Sequence, residues 1–431
     1  MKNKIGKLMS AFDHIDSRFI GEAMEFYGEK TAMKTSFAKK TNRFIAAASA
    51  AAACLLLVAL VLSSVLIRSE QQVYNPSDLP AESNGVEVVD TPESDGTVGM
   101  LYEVREDGKT ARFVSFGSST EETVVIASTY DGLPVVEMIM GPYWDHRNSG
   151  GYVKMAESSK YGSVYVKNLI ISDTVEIFDD TILKCCPNLE SVYIGAKVGK
   201  MRSWGFSSGE FEKVVKLEVS PENETYMSSG NCIIEKATGT LFRGCETSVI
   251  PADGSVKIIG ADAFFGVIGL TSIEIPESVT SIERQAFAWT GIESIVLPAG
   301  LKKMGNNAFM GCMELVSVDL NGFTVIPAFA FDDCVSLKEV KGSENIVEIG
   351  QDAFFFCTDL ESITFSTALK KIGATAFYAC KAEIVFEGTQ AEWNSIELHE
   401  KWNGHTDADC LIKKVICTDG EFVPVSRPLN K

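Results

Sequence analysis

Apolar and polar positions alternate in short runs over much of the chain, and these runs return at a fixed interval. An Ala-Phe dipeptide returns in the same frame at six positions between residues 263 and 377, at steps of 22 or 23 residues. Before each dipeptide lies a stretch in which every second residue is apolar, as at Ile295 and Leu297. Alternation with a period of two predicts a β-strand, and a repeat of this length predicts a solenoid whose stacked coils share one core.

The frame that recurs in each copy of the repeat predicts which residues point into the core. The strand pairs that follow this frame are Ile273 and Ile275, Ile295 and Leu297, Val318 and Leu320, and Ile363 and Phe365. The phenylalanines of the Ala-Phe pairs are expected to stack as an internal spine on the opposite side of the coil. Weaker copies of the frame extend backward over residues 182–206. Between residues 218 and 261 the period breaks, and a turn at Thr238-Gly239 predicts a hairpin there.

A different pattern occupies residues 44–67, which are 24 apolar or small residues without a charge. As a helix this segment would measure ~36 Å, enough to cross a hydrocarbon core of about 30 Å. A buried core helix and a cleaved signal peptide are the alternatives, but the first rarely runs uncharged so far and the second follows a shorter basic segment. Lys39, Lys40 and Arg43 precede the span, so the N-terminus is predicted to be cytoplasmic and the repeats extracellular.

The flanks of this span define the domain organisation. Residues 1–43 form a cytoplasmic segment with one candidate amphipathic helix at about residues 15–27. Residues 68–97 form an acidic linker, with seven acidic and no basic side chains from residue 69 onward. The solenoid covers residues 98–386, with the hairpin insertion near residues 220–250, and residues 387–431 form a C-terminal cap. The predicted fold class is therefore mainly β, a solenoid of 22–23-residue coils preceded by a single transmembrane α-helix.

The frame LxxIxIPxxVxxIxxxAFxxC resembles the BspA-like, or Treponema-type, leucine-rich repeats of bacterial surface proteins. Residues 123–138 resemble the opening coil of such arrays, and the segment with the hairpin resembles an excursion seen within them. Residues 386–420 resemble their C-terminal segment. The resemblance covers about residues 100–420 and implies a leucine-rich-repeat solenoid that is exported and recognises proteins or other surface ligands. It implies no catalytic residues, and residues 141–163 depart from it where a coil is expected.

Cysteines occupy one column of the repeat, three residues after the Phe. Cys312, Cys334, Cys357 and Cys380 lie there, and a cysteine repeated at an apolar position is expected to be a small buried hydrophobe. Cys232 and Cys245 would face each other across the hairpin and are a candidate disulfide. Cys410 and Cys417 form a weaker second pair.

Composition and charge argue against several classes of function. The net charge is −19, and because residues 1–43 carry +4, the remaining 388 residues carry −23. Such an acidic domain is a poor partner for nucleic acid. The four histidines do not form a metal-binding helix: His399 and His405, with Asp407, Asp409 and Cys410, have the donor atoms but not the H-E-x-x-H spacing, so we predict no metal site and no cofactor. No nucleophile elbow or phosphate-binding glycine loop occurs, and an enzyme is not expected.

The outward positions of successive strands are the predicted ligand-binding face. A protein or glycan at the cell surface is the expected partner, and a merely solvated sheet face is the alternative interpretation. The leading hypothesis is therefore a non-catalytic receptor or adhesin, single-pass in the plasma membrane. A sensor that signals through residues 1–43 and a passive envelope spacer are the competing hypotheses. The predicted face comprises Ser272, Glu274, Ser294, Val296, Ser317, Asp319, Glu339, Lys341, Ser362 and Thr364.

Overall fold

The computed structural model describes residues 95–138, 163–179, 186–202, 213–404 and 411–424. All of them belong to one compact unit, Pro76–Lys431. Across these described ranges, no helix is long and apolar enough to cross a membrane.

Several predicted features lie outside the described residues. They are the cytoplasmic segment, the transmembrane span, most of the linker and residues 141–162 of the unusual insertion. Ile182, Leu183, Gly205 and Phe206 of the weaker repeats, together with His405, Asp407, Asp409 and Cys410, also lie outside them.

The described chain is a β-solenoid, as predicted, and each regular coil contributes one strand to each of two rows. We call the first of these rows the first-strand row, and it consists of three sheets. In sheet order these are β10 (Lys216–Val219), β8 (Ser191–Ile194), β6 (Asn168–Ile170) and β3 (Thr123–Val125); then β16 (Ser294–Val296), β18 (Ser317–Asp319) and β20 (Glu339–Lys341); then β22 (Ser362–Phe365), β24 (Glu383–Phe386), β26 (Lys414–Cys417) and β27 (Gly420–Phe422).

The second row also consists of three sheets, and in its regular coils the strands have only two residues. Its members are β1 (Leu101–Val104), β2 (Ala111–Ser115), β5 (Leu133–Met138), β7 (Ile177–Asp179) and β9 (Lys200–Arg202), with β4 (Thr129–Tyr130) on β5; then β11 (Tyr226–Ser229), β12 (Cys232–Glu235), β13 (Thr240–Arg243), β14 (Ile258–Ile259), β15 (Ser281–Ile282) and β17 (Lys303–Met304); then β19 (Val325–Ile326), β21 (Glu348–Ile349), β23 (Lys371–Ile372) and β25 (Glu397–Leu398).

Pairing between successive regular coils is parallel and in register. Ile295 lies opposite Val318, which lies opposite Val340, so each inward position forms a continuous buried ladder. Antiparallel pairs occur where the repeat starts, ends or is interrupted, at β1–β2, β4–β5, β11–β12, β12–β13 and β26–β27. The period of 22–23 residues therefore returns each strand to the same place beside its neighbour.

The segments around Ala-Phe close each coil without forming strands. The residue before each Ala has a positive φ, and so does the second residue after each Phe. The Phe N–H still bonds to the Ala carbonyl of the next coil, at 2.8 Å from Phe264 to Ala286 and 2.9 Å from Phe331 to Ala353. These ladders satisfy the buried backbone in a region where ordinary strand geometry is absent.

The predicted aromatic spine is confirmed. The six Ala-Phe rings from Phe264 to Phe377 are stacked, with neighbouring centroids 5.2–5.6 Å apart and planes within 3–14° of parallel. The spine begins at Gly244, where a Cβ atom would lie 2.0 Å from a ring carbon of Phe264. At the other end Trp402 packs edge-on against Phe377, with centroids 6.0 Å apart.

The interruption near residue 230 forms three antiparallel strands. β12 and β13 place Ile234 opposite Leu241 around a loop at residues 236–239. Strand β11 was not predicted, although Gly230 and Asn231, both with positive φ, supply the tight turn that connects it to β12. Because β13 then pairs in parallel with β14, the excursion joins the second row and does not break it.

The C-terminal segment closes the core with aromatic side chains. Helix α1 (Gln390–Trp393) begins with a capping box formed by Thr389 and Glu392. This helix buries Trp393, whose ring lies edge-on to Phe386 at 5.3 Å and to Trp402 at 6.0 Å. Strands β25 and β26 continue the two rows beyond residue 386, so the repeat geometry extends into the predicted cap.

Candidate functional site

The most regular part of the predicted face lies on β16, β18 and β20. The register places Ser294, Ser317 and Glu339 in one outward column. Val296, Asp319 and Lys341 form the second outward column, while the residues between the columns are buried. The face is therefore a shallow surface on a rigid base, and its outward positions are free to vary without changing the core.

The two columns differ in polarity along the solenoid. Val296 is 58% exposed and shares its column with Asp319 and Lys341. Glu339 and Lys341 are adjacent outward residues of β20, with Lys341 Nζ 3.6 Å from Glu339 Oε2, and both are exposed. Because water screens such a pair, it contributes little to stability and both charges remain accessible to a partner.

Asp319 has a structural role in addition to its position on the face. Its Oδ1 accepts a hydrogen bond of 2.9 Å from the backbone N–H of Asn321, and Asn321 in turn donates to the carbonyl of Leu297 at 3.0 Å. Substitution of Asp319 therefore alters the turn after β18 as well as the surface. Lys341 and Val296 are cleaner positions at which to test binding.

The predicted first pair of the face is wrong in one respect. Ser272 and Glu274 are exposed, but residues 271–276 form no strand. The preceding segment turns away, because the Val249 N–H bonds to the carbonyl of Gly230 in the hairpin excursion. Residues 271–276 therefore have a regular neighbour on one side only, through Glu293 N–H and the Thr271 carbonyl.

The predicted last pair lies on a separate sheet. Ser362 and Thr364 point outward on β22, which pairs with β24 and not with β20. A 3-10 turn at Ser343–Asn345 lies between these sheets, and Ser343 Oγ donates to the Thr364 carbonyl at 2.7 Å. Because the turn takes the place of ladder bonds, the predicted face consists of two adjoining surfaces.

A third surface of the same row was not identified from the sequence. On β3, β6 and β8, Asn168 donates to Thr123 Oγ1 at 3.1 Å and accepts from Ser191 Oγ at 2.7 Å. The half-buried side chains of Ile170 and Tyr193 lie beside this polar ladder. The signal was present in the stretches NLII and SVYI, which carry the same alternation without the Ala-Phe pair.

The candidate disulfide pair is found as two buried free thiols. Ser248 lies between them and donates to Cys245 Sγ at 3.7 Å and to the Asn231 carbonyl at 2.6 Å. Burial raises the pKa of Cys232 to about 12, although Ser248 opposes the shift. Cys232 and Cys245 therefore face the same small polar group, and their disulfide stays a prediction. Cys417 is also buried and free.

No group of three His, Cys, Asp or Glu side chains in the described ranges is arranged to hold a metal ion. His399 accepts a hydrogen bond at Nδ1 from the Lys401 N–H, 3.2 Å away, within the turn that follows β25. The other members of the cluster considered in the sequence lie beyond the described residues.

Solved structures that match the chain at low sequence identity come from several bacteria. A leucine-rich repeat protein of Eubacterium ventriosum is 16% identical over 76% of this chain and 99% of its own, with a TM-score of 0.47. A leucine rich cell surface protein of Faecalibacterium prausnitzii is 19% identical over 72% of this chain and 98% of its own, with a TM-score of 0.32. The pneumococcal vaccine antigen PcpA is 14% identical over 71% of this chain and 98% of its own, with a TM-score of 0.26. No curated protein matches the chain.

The repeat itself identifies the family. Six copies of the BspA type leucine rich repeat region match residues 152–238, 236–341 and 324–392, which together cover more than half of the chain. The matched segments contain the Ala-Phe column, the cysteine column and the strands β16, β18 and β20 that form the candidate face. The chain is therefore a member of the BspA-type leucine-rich repeat family.

Proposed function

We propose that this protein is a non-catalytic recognition protein of the bacterial cell surface, which binds a protein or glycan on its first-strand row. The observation that supports this most directly is the two-column surface on β16, β18 and β20. Its inward residues are fixed in a continuous core, while Val296, Glu339 and Lys341 are exposed. A preorganised surface of this kind binds without a large ordering cost.

The segment at residues 44–67 would hold this surface outside the cell. In this proposal the helix spans the plasma membrane once, residues 1–43 remain cytoplasmic and the acidic linker holds the repeats away from the lipid. Fractionation tests the anchor directly. The full chain is expected to stay with membranes through alkaline carbonate washing, and a variant with Leu56→Arg and Leu60→Glu in the span is expected to lose that association. Extraction of the unaltered chain by the wash would reject the anchor.

The binding face is tested with charge and size changes that leave the core intact. The bait is the full chain, exposed to envelope and host-cell extracts, with Val296→Arg and Lys341→Glu combined as the face variant. Glu348→Arg on β21 of the second row is the matched control, because it also reverses an exposed charge on a short strand. We expect a ligand retained by the unaltered chain and by the control, and lost from the face variant.

Two outcomes would contradict the proposal. If the face variant retains every ligand, the first-strand row is not the binding surface. If the control loses the ligand equally, binding is not confined to the first-strand row. Thermal unfolding of each variant establishes that the fold is intact. Asp319 is left unchanged in the face variant, because Asp319→Arg would also remove the hydrogen bond from the Asn321 backbone N–H and disturb the turn.

A further inference from the structure

A second accessible surface lies on the segments that follow the Ala-Phe pairs, which we call the turn ridge. In two consecutive coils it presents Asp332 and Asp333, then Phe355 and Phe356, and in the next coil the buried Tyr378 supports these rings. The backbone fixes the register of these coils, because Asp333 N–H bonds to the Phe355 carbonyl and Phe356 N–H to the Tyr378 carbonyl, both at 2.9 Å. Asp332 therefore occupies, one coil earlier, the same position as Phe355.

Three aromatic rings form a cluster at one end of this surface. Phe355 stacks on Tyr378 with centroids 4.8 Å apart and planes 12° from parallel. Phe356 lies edge-on to Phe355 at 4.8 Å and 5.7 Å from Tyr378. Phe355 and Phe356 are only half-buried, in contrast to Phe354 of the spine, which is fully buried. Ring surface that the core does not use is thus available to solvent.

Phe356 also has a backbone conformation that does not favour a bulky side chain. Its φ is 56°, in the left-handed region where Gly266 and Gly311 occupy the same column in earlier coils. A non-glycine residue there costs about 1 to 2 kcal/mol in backbone energy. The same column holds Trp289 and Asp333, also with positive φ, so the left-handed conformation belongs to the coil and the aromatic ring of Phe356 is held on the ridge at this cost.

The carboxyl groups beside the rings have no cation partner. Neither Asp332 nor Asp333 makes an ion pair within the described ranges, and Asp332 Oδ1 is buried without a hydrogen-bond donor. The backbone N–H of Asp333 is the one hydrogen-bond donor that favours the charged form of Asp332. Both aspartates remain partly exposed, so a ligand from solvent can reach them. Burial, with smaller contributions from Asp333 and Asp352, raises the pKa of Asp332 to about 8. A cation placed here would favour the charged form of this carboxyl and provide the counter-charge that the described chain does not supply.

We propose that the ridge formed by Asp332, Asp333, Phe355 and Phe356 binds an arginine side chain of a partner protein. A guanidinium group stacks flat on an aromatic ring and donates hydrogen bonds in a fork that matches a carboxylate. It therefore uses both features of the ridge at once, whereas a neutral ligand would leave the carboxyls unpaired. The net charge of −19 also favours the approach of a basic segment.

This site is distinct from the first-strand row and does not rest on the function proposed for that row. It lies on the turns that close the coils, and its residues are separate from those of β16, β18 and β20. The same chain could therefore engage a cationic partner on the ridge whether or not the sheet face binds anything.

The test uses a fluorescently labelled peptide of alternating Gly and Arg, with a counterpart in which citrulline replaces arginine. Citrulline keeps the shape and loses the charge. Fluorescence anisotropy with the full chain is expected to show about tenfold tighter binding of the arginine peptide. Asp332→Asn combined with Asp333→Asn should abolish that difference, and Phe356→Leu should weaken binding of the arginine peptide several-fold.

The matched control combines Asp319→Asn with Glu339→Gln, which removes the same amount of charge from the sheet face. We expect it to retain the preference for arginine to within about twofold. The proposal is overturned if the two peptides bind equally, if the ridge variants bind like the unaltered chain, or if the control loses as much affinity as the ridge variant. Because asparagine keeps the size of aspartate, the double ridge variant is expected to fold even if Phe356→Leu does not.

Discussion

The thiol of Cys380 donates a hydrogen bond to the backbone carbonyl of Phe354 in the preceding coil, with Sγ 2.8 Å from the oxygen. Cys312, Cys334 and Cys357 make the same contact one coil earlier each, at 3.1–3.2 Å. Each of these Phe carbonyls also accepts the N–H three residues later in its own coil. Each cysteine of the column is thus a small buried hydrophobic residue, and its thiol is a second hydrogen-bond donor to the Phe carbonyl of the preceding coil.

Buried thiols of this kind should be unreactive while the protein is folded. Burial raises the pKa of Cys312 to about 11 and those of Cys334 and Cys357 well above the ordinary value. The thiolate is the reactive form, so very little of it exists at neutral pH. We expect mass spectrometry to find these cysteines unmodified after brief exposure of the native protein to iodoacetamide, and fully modified in denaturant. Rapid alkylation of the column in the native state would contradict this assignment.

Asn223 is predicted to be essential for stability, although it is the first residue of an Asn-Glu-Thr sequon. Its side chain is 1% exposed and donates to the carbonyls of Gly195 and Val198 at 2.8 and 3.0 Å. Its Oδ1 accepts from the N–H groups of Thr225 and Tyr226. Asn223→Asp removes both donors and adds a buried charge, so we expect a loss of about 3 kcal/mol in unfolding free energy.

Asn345→Asp is the control for that substitution. Asn345 is exposed in the 3-10 turn and bonds only to neighbouring residues, so its replacement should change stability by less than about 0.5 kcal/mol. Equal effects of the two substitutions in urea titrations would show that the Asn223 hydrogen bonds do not matter. The same burial leaves no accessible amide for glycan attachment in the folded chain.

A glycine should stabilise the ridge at Ala379. Its φ is 61°, in the column where earlier coils use Gly266 and Gly311, and no alanine adopts this region without steric cost. Ala379→Gly is expected to raise the unfolding free energy by up to about 1 kcal/mol, because the steric relief exceeds the added chain entropy. Thermal and denaturant unfolding measure the change.

Ala376→Gly, three residues earlier, separates this effect from a general effect of glycine. Ala376 belongs to an Ala-Phe pair, is fully buried and is not among the residues with positive φ. Its replacement should lower stability by about 1 kcal/mol or more, through lost packing and added entropy. Destabilisation by both substitutions would contradict the strain assigned to Ala379.

The buried carboxyl of Asp332 makes stability depend on pH. Its pKa of about 8 in the folded state lies far above that of an exposed carboxyl, so the folded chain holds a proton that the unfolded chain has released. The contribution is complete at pH values below about 4 and is lost as the pH rises toward 8. Asp332→Asn should raise stability near pH 8 by at least about 1 kcal/mol and flatten this pH dependence.

Asp319→Asn is a suitable comparison for the pH experiment, since Asp319 lies on the sheet face and its Oδ1 accepts a hydrogen bond from the Asn321 N–H, whereas Asp332 Oδ1 is buried without a donor. Urea unfolding at several pH values between about 5 and 8.5 measures both variants over the window set by that pKa. A pH profile of the Asp332→Asn variant that matches the unaltered chain would exclude Asp332 as the responsible group.

The repeat could be predicted in detail because one interaction pattern is used many times. A side chain that recurs every 22 or 23 residues stacks on its own copies, so Phe264 to Phe377 were identifiable as a spine and the cysteine column as core. The alternation at Ile295 and Val318 likewise determined which strand residues point inward. Outward residues could be assigned by elimination, and the register of β16, β18 and β20 places six of the ten predicted residues in two outward columns. Their role in binding stays a prediction.

Features that depend on contacts between non-equivalent segments could not be predicted in this way. Strand β11 pairs with β12 because Gly230 and Asn231 reverse the chain between them, and the Val249 N–H bonds to the Gly230 carbonyl of this turn. The 3-10 turn at Ser343–Asn345 divided the first-strand row between β20 and β22. No period encodes such events, because each occurs once.

The amino-acid sequence alone determined the coil length, the spine, the inward and outward faces and the family, since these follow from a local pattern repeated in register. Only the tertiary structure decided that the half-buried Phe355 and Phe356 pack on the buried Tyr378, one coil after Asp332 and Asp333. In the sequence these residues are separated by about one coil each, and they meet because stacking brings equivalent turns within a few ångströms of one another. Their burial and the pKa of Asp332 are consequences of that stacking.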